Sequence, residues 1–328
     1  MLNAFDIFQL VPSSPNQYFQ VIEELKYEGS QPIKRGDFLK VVVDTGRREI
    51  CVQKYSWWQR LHWPEYGSEL LGTAFLVFIA LSAITFNFGS GSPLAIVLPN
   101  SSIRRLITGL ILAASGPLVA ISPLGKLSGA HLNPAVSLAF WLQGKMHQHD
   151  LVAYIASQFL GAALGAGLVV LIWRERAASV HNGVTAPRVG YPIWSVFLVE
   201  MGFTCLLVLA IFLFLSSHRL VHWTPLVTWL LVALIYWQAA PISGSSLNPA
   251  RSFGPALVSW FWRDQWLYFL APPSGALLAV VFFRSLSLVG IHDVLTAKMF
   301  HAPRYRCIFK DVQAPQLITA RDGKLIWP

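Results

Sequence analysis

The chain has 328 residues, of which 54% are hydrophobic and only 12% are charged. Soluble domains carry about 25% charged residues, so the composition excludes an ordinary soluble enzyme and predicts an integral membrane protein. The 13 tryptophans fit the aromatic belts at membrane–water interfaces. The net charge of +9 is assigned to loops that set orientation in a membrane and not to nucleic-acid binding. Cys51, Cys205 and Cys307 lie too far apart for a disulfide framework or a zinc motif, and no metal is expected.

Six apolar stretches are long enough to cross a bilayer, which takes about 20 residues. They cover roughly positions 67–86, 103–122, 151–173, 192–216, 225–241 and 266–289. Two shorter apolar segments, at 134–143 and 249–260, are too short to cross and are predicted to be re-entrant half-helices. The predicted fold is therefore an all-α membrane protein with six transmembrane helices and two half-helices.

The sequence around the two short segments is repeated. Ser-Gly-Ala-His-Leu-Asn-Pro-Ala at positions 128–135 is matched by Ser-Gly-Ser-Ser-Leu-Asn-Pro-Ala at positions 243–250. Each half then contains three spans, and an odd number of spans forces the second half to insert upside down. Such inverted repeats place their working site where the halves meet, near the membrane midplane.

The repeated Asn-Pro-Ala motif is well suited to begin a helix. Asparagine is a strong N-cap, and proline at the first helical position gives up an N–H that would be unpaired in any case. Both half-helices would point their positive dipole ends at the midplane, which favours a small neutral molecule with an accepting oxygen and repels a cation. The motif residues are Asn133, Pro134, Ala135, Asn248, Pro249 and Ala250.

Four other side chains are notable because they are polar or ionisable near membrane depth. Arg251 follows the second motif and is the only basic residue between positions 220 and 262, and a charge at that depth indicates function. Glu69 and Glu200 lie within spans at matching repeat positions, and we expect them to accept hydrogen bonds from buried loop N–H groups. His131 either lines the pore or supports its loop.

These motifs resemble the aquaporins of the major intrinsic protein family over about residues 66–290. The paired Asn-Pro-Ala motifs, with the arginine after the second, carry the resemblance. It implies a homotetramer in which every protomer has its own pore, with passive, bidirectional flow and no cofactor. Because no nucleophile, base and orienting group occur together, an enzyme is not expected.

The resemblance also implies a narrow selectivity filter formed by Ala113, Tyr236, Ser245 and Arg251. Strict water channels typically carry phenylalanine at the first position and histidine at the second, so this chain departs at both. Alanine widens the constriction, whereas tyrosine adds bulk and a hydroxyl that can donate or accept a hydrogen bond.

Other positions resemble water channels more than glycerol facilitators: Ser252, Ala256 and the pair Tyr268-Phe269. The predicted function is therefore a passive water channel that excludes ions and protons. A facilitator of glycerol or another small neutral solute is the alternative, suggested by Ala113. Some relatives carry a mercury-sensitive cysteine where this chain has Ser245, so we expect weak inhibition by mercurials.

Basic residues predict a multi-pass protein of the cell membrane with both termini in the cytoplasm, because eighteen lie on that side and six on the other.

The predicted parts are an N-terminal extension (1–62), a channel domain (63–290) and a C-terminal extension (291–328). Hairpins are expected at 38–55 and around the Asp322-Gly323 turn. The two hairpins are hypothesised to form one small β module, with independent tails as the alternative.

Two further hypotheses remain open. The protein could serve mainly as an adhesion or scaffold protein, although a closed scaffold would not need both asparagines and Arg251. Gating by His218 and His222, which flank a short loop, is also possible because histidine titrates near physiological pH.

Overall fold

The structure, a computed structural model, describes residues 38–44, 49–55, 61–286, 293–300, 307–309, 318–319 and 325–326. Contacts divide the chain into one unit at Met1–Leu61 and a second at His62–Pro328. In the first, strands β1 (Phe38–Asp44) and β2 (Glu49–Tyr55) pair antiparallel, as the sequence predicts.

A second antiparallel pair joins β3 (Ile318–Thr319) to β4 (Leu325–Ile326). Each pair forms its own two-stranded sheet within the described residues. The hypothesis that the two hairpins form one small β module stays a prediction.

Helices make up most of the described second unit, and six of them are long and apolar enough to cross a membrane. The all-α membrane fold predicted from the sequence is confirmed. The α-helices in this part of the chain are α1 (Trp63–Phe88), α2 (Pro93–Val97), α3 (Ser101–Ile121), α4 (Pro123–Ser128), α5 (Pro134–Leu142), α6 (Gln148–Trp173), α7 (Glu175–Ala178), α8 (Ile193–Leu215), α9 (Thr224–Ser243), α10 (Pro249–Ser259) and α11 (Trp266–Leu286).

Helix packing follows the repeat. In the first half α1 packs on α6, and in the second half α8 packs on α11 in the same way. The half-helices cross over, because α5 packs on α11 and α10 packs on α6. Each half-helix is thus held by the last span of the opposite half, which brings the two Asn-Pro-Ala motifs together.

Two glycines at matching positions allow these helices to approach closely. A Cβ on Gly161 of α6 would lie 2.2 Å from the carbonyl oxygen of Leu70 in α1. A Cβ on Gly275 of α11 would lie 2.2 Å from the carbonyl oxygen of Met201 in α8. Small residues of this kind let helix backbones touch in a membrane, where packing and not water exclusion holds helices together.

The outer surface of the helices remains apolar. Leu160, Leu164 and Leu168 follow each other at four-residue spacing on α6 and are all about half exposed. Such a stripe suits lipid or a neighbouring subunit and would be unfavourable in water.

One side of the second unit carries both the start of α1 and the segment after α11. His62 bonds to Asp150 at the start of α6, and Lys145 pairs with Asp293. We call this the terminal side, and the opposite side the far side.

Candidate functional site

The asparagine of each motif caps its half-helix. The Asn133 Oδ1 atom accepts a hydrogen bond from the Ala135 N–H at 2.9 Å. The Asn248 Oδ1 atom accepts from the N–H groups of Ala250 and Arg251 at 2.9 and 3.3 Å. The side-chain oxygens therefore point back to their own helices, and the NH₂ groups point toward the opposite half.

Those NH₂ groups tie the two halves together at the centre. The Asn133 Nδ2 atom donates to the Leu247 carbonyl at 2.9 Å, and the Asn248 Nδ2 atom donates to the Leu132 carbonyl at 2.8 Å. An amide NH₂ has two donors, and the second donor of each makes no hydrogen bond in the described part of the chain. Both asparagines line the same cavity, so these second N–H groups are available to a molecule inside it.

The loops before the half-helices share one unusual backbone shape. Ala130 and Leu132 have φ of 55° and 53°, and Ser245 and Leu247 have φ of 52° and 55°. Left-handed conformations are costly for residues other than glycine, and pairs at matching positions indicate that the shape is required.

Buried carboxylates hold both loops in this shape. Glu69 accepts from the N–H groups of His131 and Leu132 at 3.0 and 2.7 Å, and Glu200 accepts from those of Ser246 and Leu247 at 2.9 and 2.8 Å. Their contacts are those of an acceptor for loop N–H groups, and neither lines the cavity.

A cavity of about 140 Å³ passes between the two halves. This is room for several water molecules, since one needs about 10–15 Å³ of such space. The walls are mostly apolar, and polar groups are concentrated at a few points. The expected filter residues Ala113, Tyr236, Ser245 and Arg251 all line the cavity, as do Asn133, Asn248 and His131.

Arg251 lies on the wall of the cavity, and a loop on the far side holds its side chain. Its side chain is 6% exposed, and its Nη1 atom donates to the Gly183 carbonyl at 3.0 Å. Gly183 lies in a short 3₁₀ turn (His181–Gly183) between α7 and α8, with a φ of 71°. The loop thus fixes the guanidinium in place and leaves its other donors for the cavity.

His131 supports its loop and also lines the cavity. Its Nε2 atom lies 2.8 Å from the Ala297 carbonyl, and because a carbonyl can only accept, Nε2 carries the proton. Its Nδ1 atom then accepts from the Ser137 hydroxyl at 3.1 Å. Gln158 completes the chain by donating to both Ser137 and Glu69.

Three participants were not found from the sequence. Gln158 was detectable as a rare amide in an apolar span. Gly183 acts through its backbone carbonyl, which no side-chain pattern reveals. Met299 lines the cavity from a segment outside the repeat, where the sequence offered no signal.

The family described as "Major intrinsic protein" matches residues 56–283 of the chain, which is more than half of its length. The chain belongs to the major intrinsic protein family. The aquaporin resemblance predicted from the motifs is thereby confirmed.

Several curated major intrinsic proteins are similar over most of their length. A probable aquaporin, NIP7-1 from Arabidopsis thaliana, is 33% identical over 67% of this chain and 76% of its own. Aquaporin-4 from Dipodomys merriami is 34% identical over 71% and 70%. Aquaporin A from Dictyostelium discoideum is 33% identical over 73% and 83%.

The fold has a solved counterpart in this family. The X-ray structure of the aquaglyceroporin from Plasmodium falciparum superposes with a TM-score of 0.60 at 23% identity, covering 70% of this chain and 99% of that one. At this identity the likeness concerns the fold alone. As a major intrinsic protein, the chain is a multi-pass membrane channel for water or small solutes and not an enzyme.

Proposed function

We propose that this major intrinsic protein conducts water passively and excludes ions and protons. One observation carries the proposal: the amides of Asn133 and Asn248 and the guanidinium of Arg251 line a single cavity where two half-helices meet. The Asn-Pro-Ala motifs and Arg251 are the residues to which we assign exclusion.

The centre of the cavity favours a water molecule in one orientation. The positive ends of α5 and α10 lie there, and each asparagine offers one N–H. A water oxygen that accepts from both amides has used its lone pairs, so its hydrogens point outward along the cavity. That water cannot accept a proton from its neighbour, and proton transfer along a row of water molecules in the cavity is interrupted at this point.

Arg251 supplies the second barrier. A fixed positive charge in a confined, mostly apolar passage repels cations and hydrated protons. A neutral solute can instead form hydrogen bonds with the guanidinium and the Tyr236 hydroxyl, and these replace the hydrogen bonds that it loses with water.

The runner-up function is facilitation of glycerol or a similar neutral solute. The observation in its favour is Ala113, which lines the cavity with a single methyl group. Tyr236 lines the same cavity and opposes this by adding a buried ring.

Stopped-flow light scattering on proteoliposomes tests water against glycerol. We expect vesicles to shrink faster than empty liposomes after an osmotic step, with no glycerol-driven reswelling. Replacement of Tyr236 by alanine should add glycerol flux. Rapid reswelling of wild-type vesicles in glycerol would establish the alternative instead.

Proton exclusion needs its own measurement. A pH-sensitive dye trapped in the vesicles should report proton leakage for Asn248→Asp and Arg251→Val. Arg263→Val is the matched control, because the Arg263 side chain is 84% exposed and its ion pair in the described part of the chain is a surface pair with Asp264. Equal proton leakage through all three variants would refute the role in proton exclusion that we assign to Asn248 and Arg251.

We also propose that the chain forms homotetramers in the cell membrane, with the terminal side in the cytoplasm. The apolar stripe of α6 would lie against lipid or a neighbouring subunit. Light scattering of the detergent-solubilised protein should give four chains per particle; a monomer would contradict this.

A further inference from the structure

We propose that the terminal side holds a binding site for a divalent metal ion of the zinc class, formed by His62, His149 and Asp150. The His62 Nδ1 atom lies 2.7 Å from the Asp150 Oδ1 atom, and the His149 Nε2 atom lies 3.5 Å from the Asp150 Oδ2 atom. The three ligand atoms that these side chains offer lie within 4.8 Å of one another.

This geometry suits a tetrahedral ion. Zinc binds imidazole nitrogen and carboxylate oxygen at about 2.0–2.2 Å, which places neighbouring ligand atoms about 3.3–3.5 Å apart. The ligand atoms already lie within 4.8 Å of one another, and a bound ion would replace the proton shared by His62 and Asp150. Water would fill the fourth position.

The surroundings of the Asp150 carboxylate favour a bound cation. Asp150 is 1% exposed, and its Oδ1 atom accepts from the Tyr66 hydroxyl at 2.6 Å as well as from His62. Its Oδ2 atom is buried and has no hydrogen-bond partner among the described residues, with only His149 approaching it at 3.5 Å, which is costly for a charged oxygen. Tyr66 orients the carboxylate, as outer partners commonly do for metal ligands, and a cation beside Oδ2 would satisfy the remaining oxygen.

The site has an entry path and a structural consequence. His149 is nearly half exposed, so an ion can arrive from the aqueous side. His62 precedes α1, whereas His149 and Asp150 lie in the first turn of α6. Bound metal would therefore clamp the starts of the two helices that pack together in the first half.

Calorimetric titration of the full-length protein in detergent with zinc chloride tests the site. We expect one saturable site per chain and a higher Tm with zinc. His149→Ala and Asp150→Asn should each weaken binding at least tenfold. His222→Ala, which removes an exposed histidine from the loop between α8 and α9, should leave it unchanged. Absence of saturable binding, or equal binding by His149→Ala, would overturn the proposal.

A separate set of contacts carries a second inference, which rests on the proposed function. We infer that residues 293–300, here called the strap, close the terminal-side mouth of the channel. The strap is bonded across the mouth: the Leu295 N–H donates to the Leu215 carbonyl and the Met299 N–H to the Gly129 carbonyl, both at 3.0 Å. His131 donates to the Ala297 carbonyl on the same strap.

Met299 is the blocking group. It lines the cavity beside Ala130 and His131, and its side chain is 7% exposed. Phe309 adds a cover by stacking on the His131 ring with centroids 5.3 Å apart. Gly129 makes room for the strap backbone and for Phe309, because a Cβ there would lie 2.8 Å from the Ala297 carbonyl oxygen and 3.0 Å from the Phe309 ring.

The rim contacts make closure reversible. Asp293 pairs with Lys145 at 2.9 Å, but its side chain is 57% exposed, and such partly exposed pairs are weak. Lys298 is fully buried and donates to the Lys126 carbonyl at 2.9 Å. The docked strap is therefore held by backbone bonds and a buried lysine contact, and its exposed rim pair is the contact that solvent weakens.

Water permeability of full-length variants tests the strap. Met299→Ala keeps the backbone bonds but removes the blocking side chain, and should raise osmotic permeability at least threefold. Met299→Leu fills a similar volume and should match the wild type. Asp293→Lys should also raise permeability, and the swap Asp293→Lys with Lys145→Asp should restore the wild-type value.

The outcomes separate this inference from the proposed function. Equal permeability of wild type and Met299→Ala, both above empty liposomes, would overturn the strap alone. Absence of water flow in every variant would overturn the proposed function and the strap with it.

Discussion

Glu69 and Glu200 occupy equivalent positions in the two halves, yet their surroundings differ. Both accept from two consecutive loop N–H groups and from the serine at the start of the motif, but Glu69 also accepts from the Gln158 amide. Through Gln158 and Ser137 it is connected to His131, and from there to the strap. The first-half carboxylate therefore supports both the pore loop and the terminal-side mouth.

Replacing Glu69 by glutamine should destabilise the protein. A carboxamide has one accepting oxygen, and each oxygen of Glu69 accepts from two donors, so two of the four donors around Glu69 lose their acceptor. We expect a loss of about 1–3 kcal/mol, typical of an unpaired buried polar group, seen as a lower Tm in detergent. Glu175→Gln at an exposed site is the control. An unchanged Tm for Glu69→Gln would contradict the bonding described here.

Mercurial sensitivity gives a second prediction for a single residue. Ser245 lines the cavity, whereas Cys205 is buried in α8 and is not part of the cavity wall. We expect little block of water flow in the wild type and strong, thiol-reversible block in Ser245→Cys, because a mercury adduct would fill the passage. The same block in wild type, removed by Cys205→Ser, would show that the cavity wall is wrongly assigned.

Among elements, those duplicated by the repeat could be predicted from sequence. The half-helices end within one residue of their predicted bounds, because asparagine and proline fix their starts. Helix α1 begins four residues earlier than predicted, with proline in its first turn. The short helices α2, α4 and α7 were missed, because four to six residues carry no readable periodicity.

Contacts between elements were harder to predict than the elements themselves. The His62–Asp150 bond joins residues 88 positions apart, and the His131–Ala297 bond joins residues 166 apart. Each bond has a partner, His62 or Ala297, outside the repeat that guided the rest of the site. Sequence reasoning therefore identified the centre of the pore and missed both features of its terminal side.

Close helix contacts lead to a prediction at the element scale. Gly161→Ala would place a methyl group against the α1 backbone, which cannot yield as a flexible side chain would. Overpacking of this kind costs about 1–3 kcal/mol, so thermal unfolding in detergent should shift to lower temperature. Gly167→Ala on the same helix meets nothing within 4 Å and should be neutral or stabilising. Equal behaviour of the two variants would exclude the tight α1–α6 approach.

For the whole molecule, the inverted packing explains how one charge reaches the cavity. Charged residues are only 12% of the chain, and most basic residues lie in loops and tails. Arg251 is the basic residue that lines the cavity in the described part of the chain. The fold brings it there because α10 belongs to the second half but packs on α6 of the first.

The proposed orientation can be tested with a cysteine on the terminal side. Cys307 is exposed, whereas Cys205 is buried within α8. In a Cys51→Ser background, a membrane-impermeant maleimide should leave intact cells unlabelled and should label Cys307 after permeabilisation, because an excess of lysine and arginine is expected on the cytoplasmic side. Cys307→Ser in the same background is the control for residual labelling of Cys205. Labelling of Cys307 in intact cells would reverse the orientation and would place the strap and the metal site at the extracellular mouth.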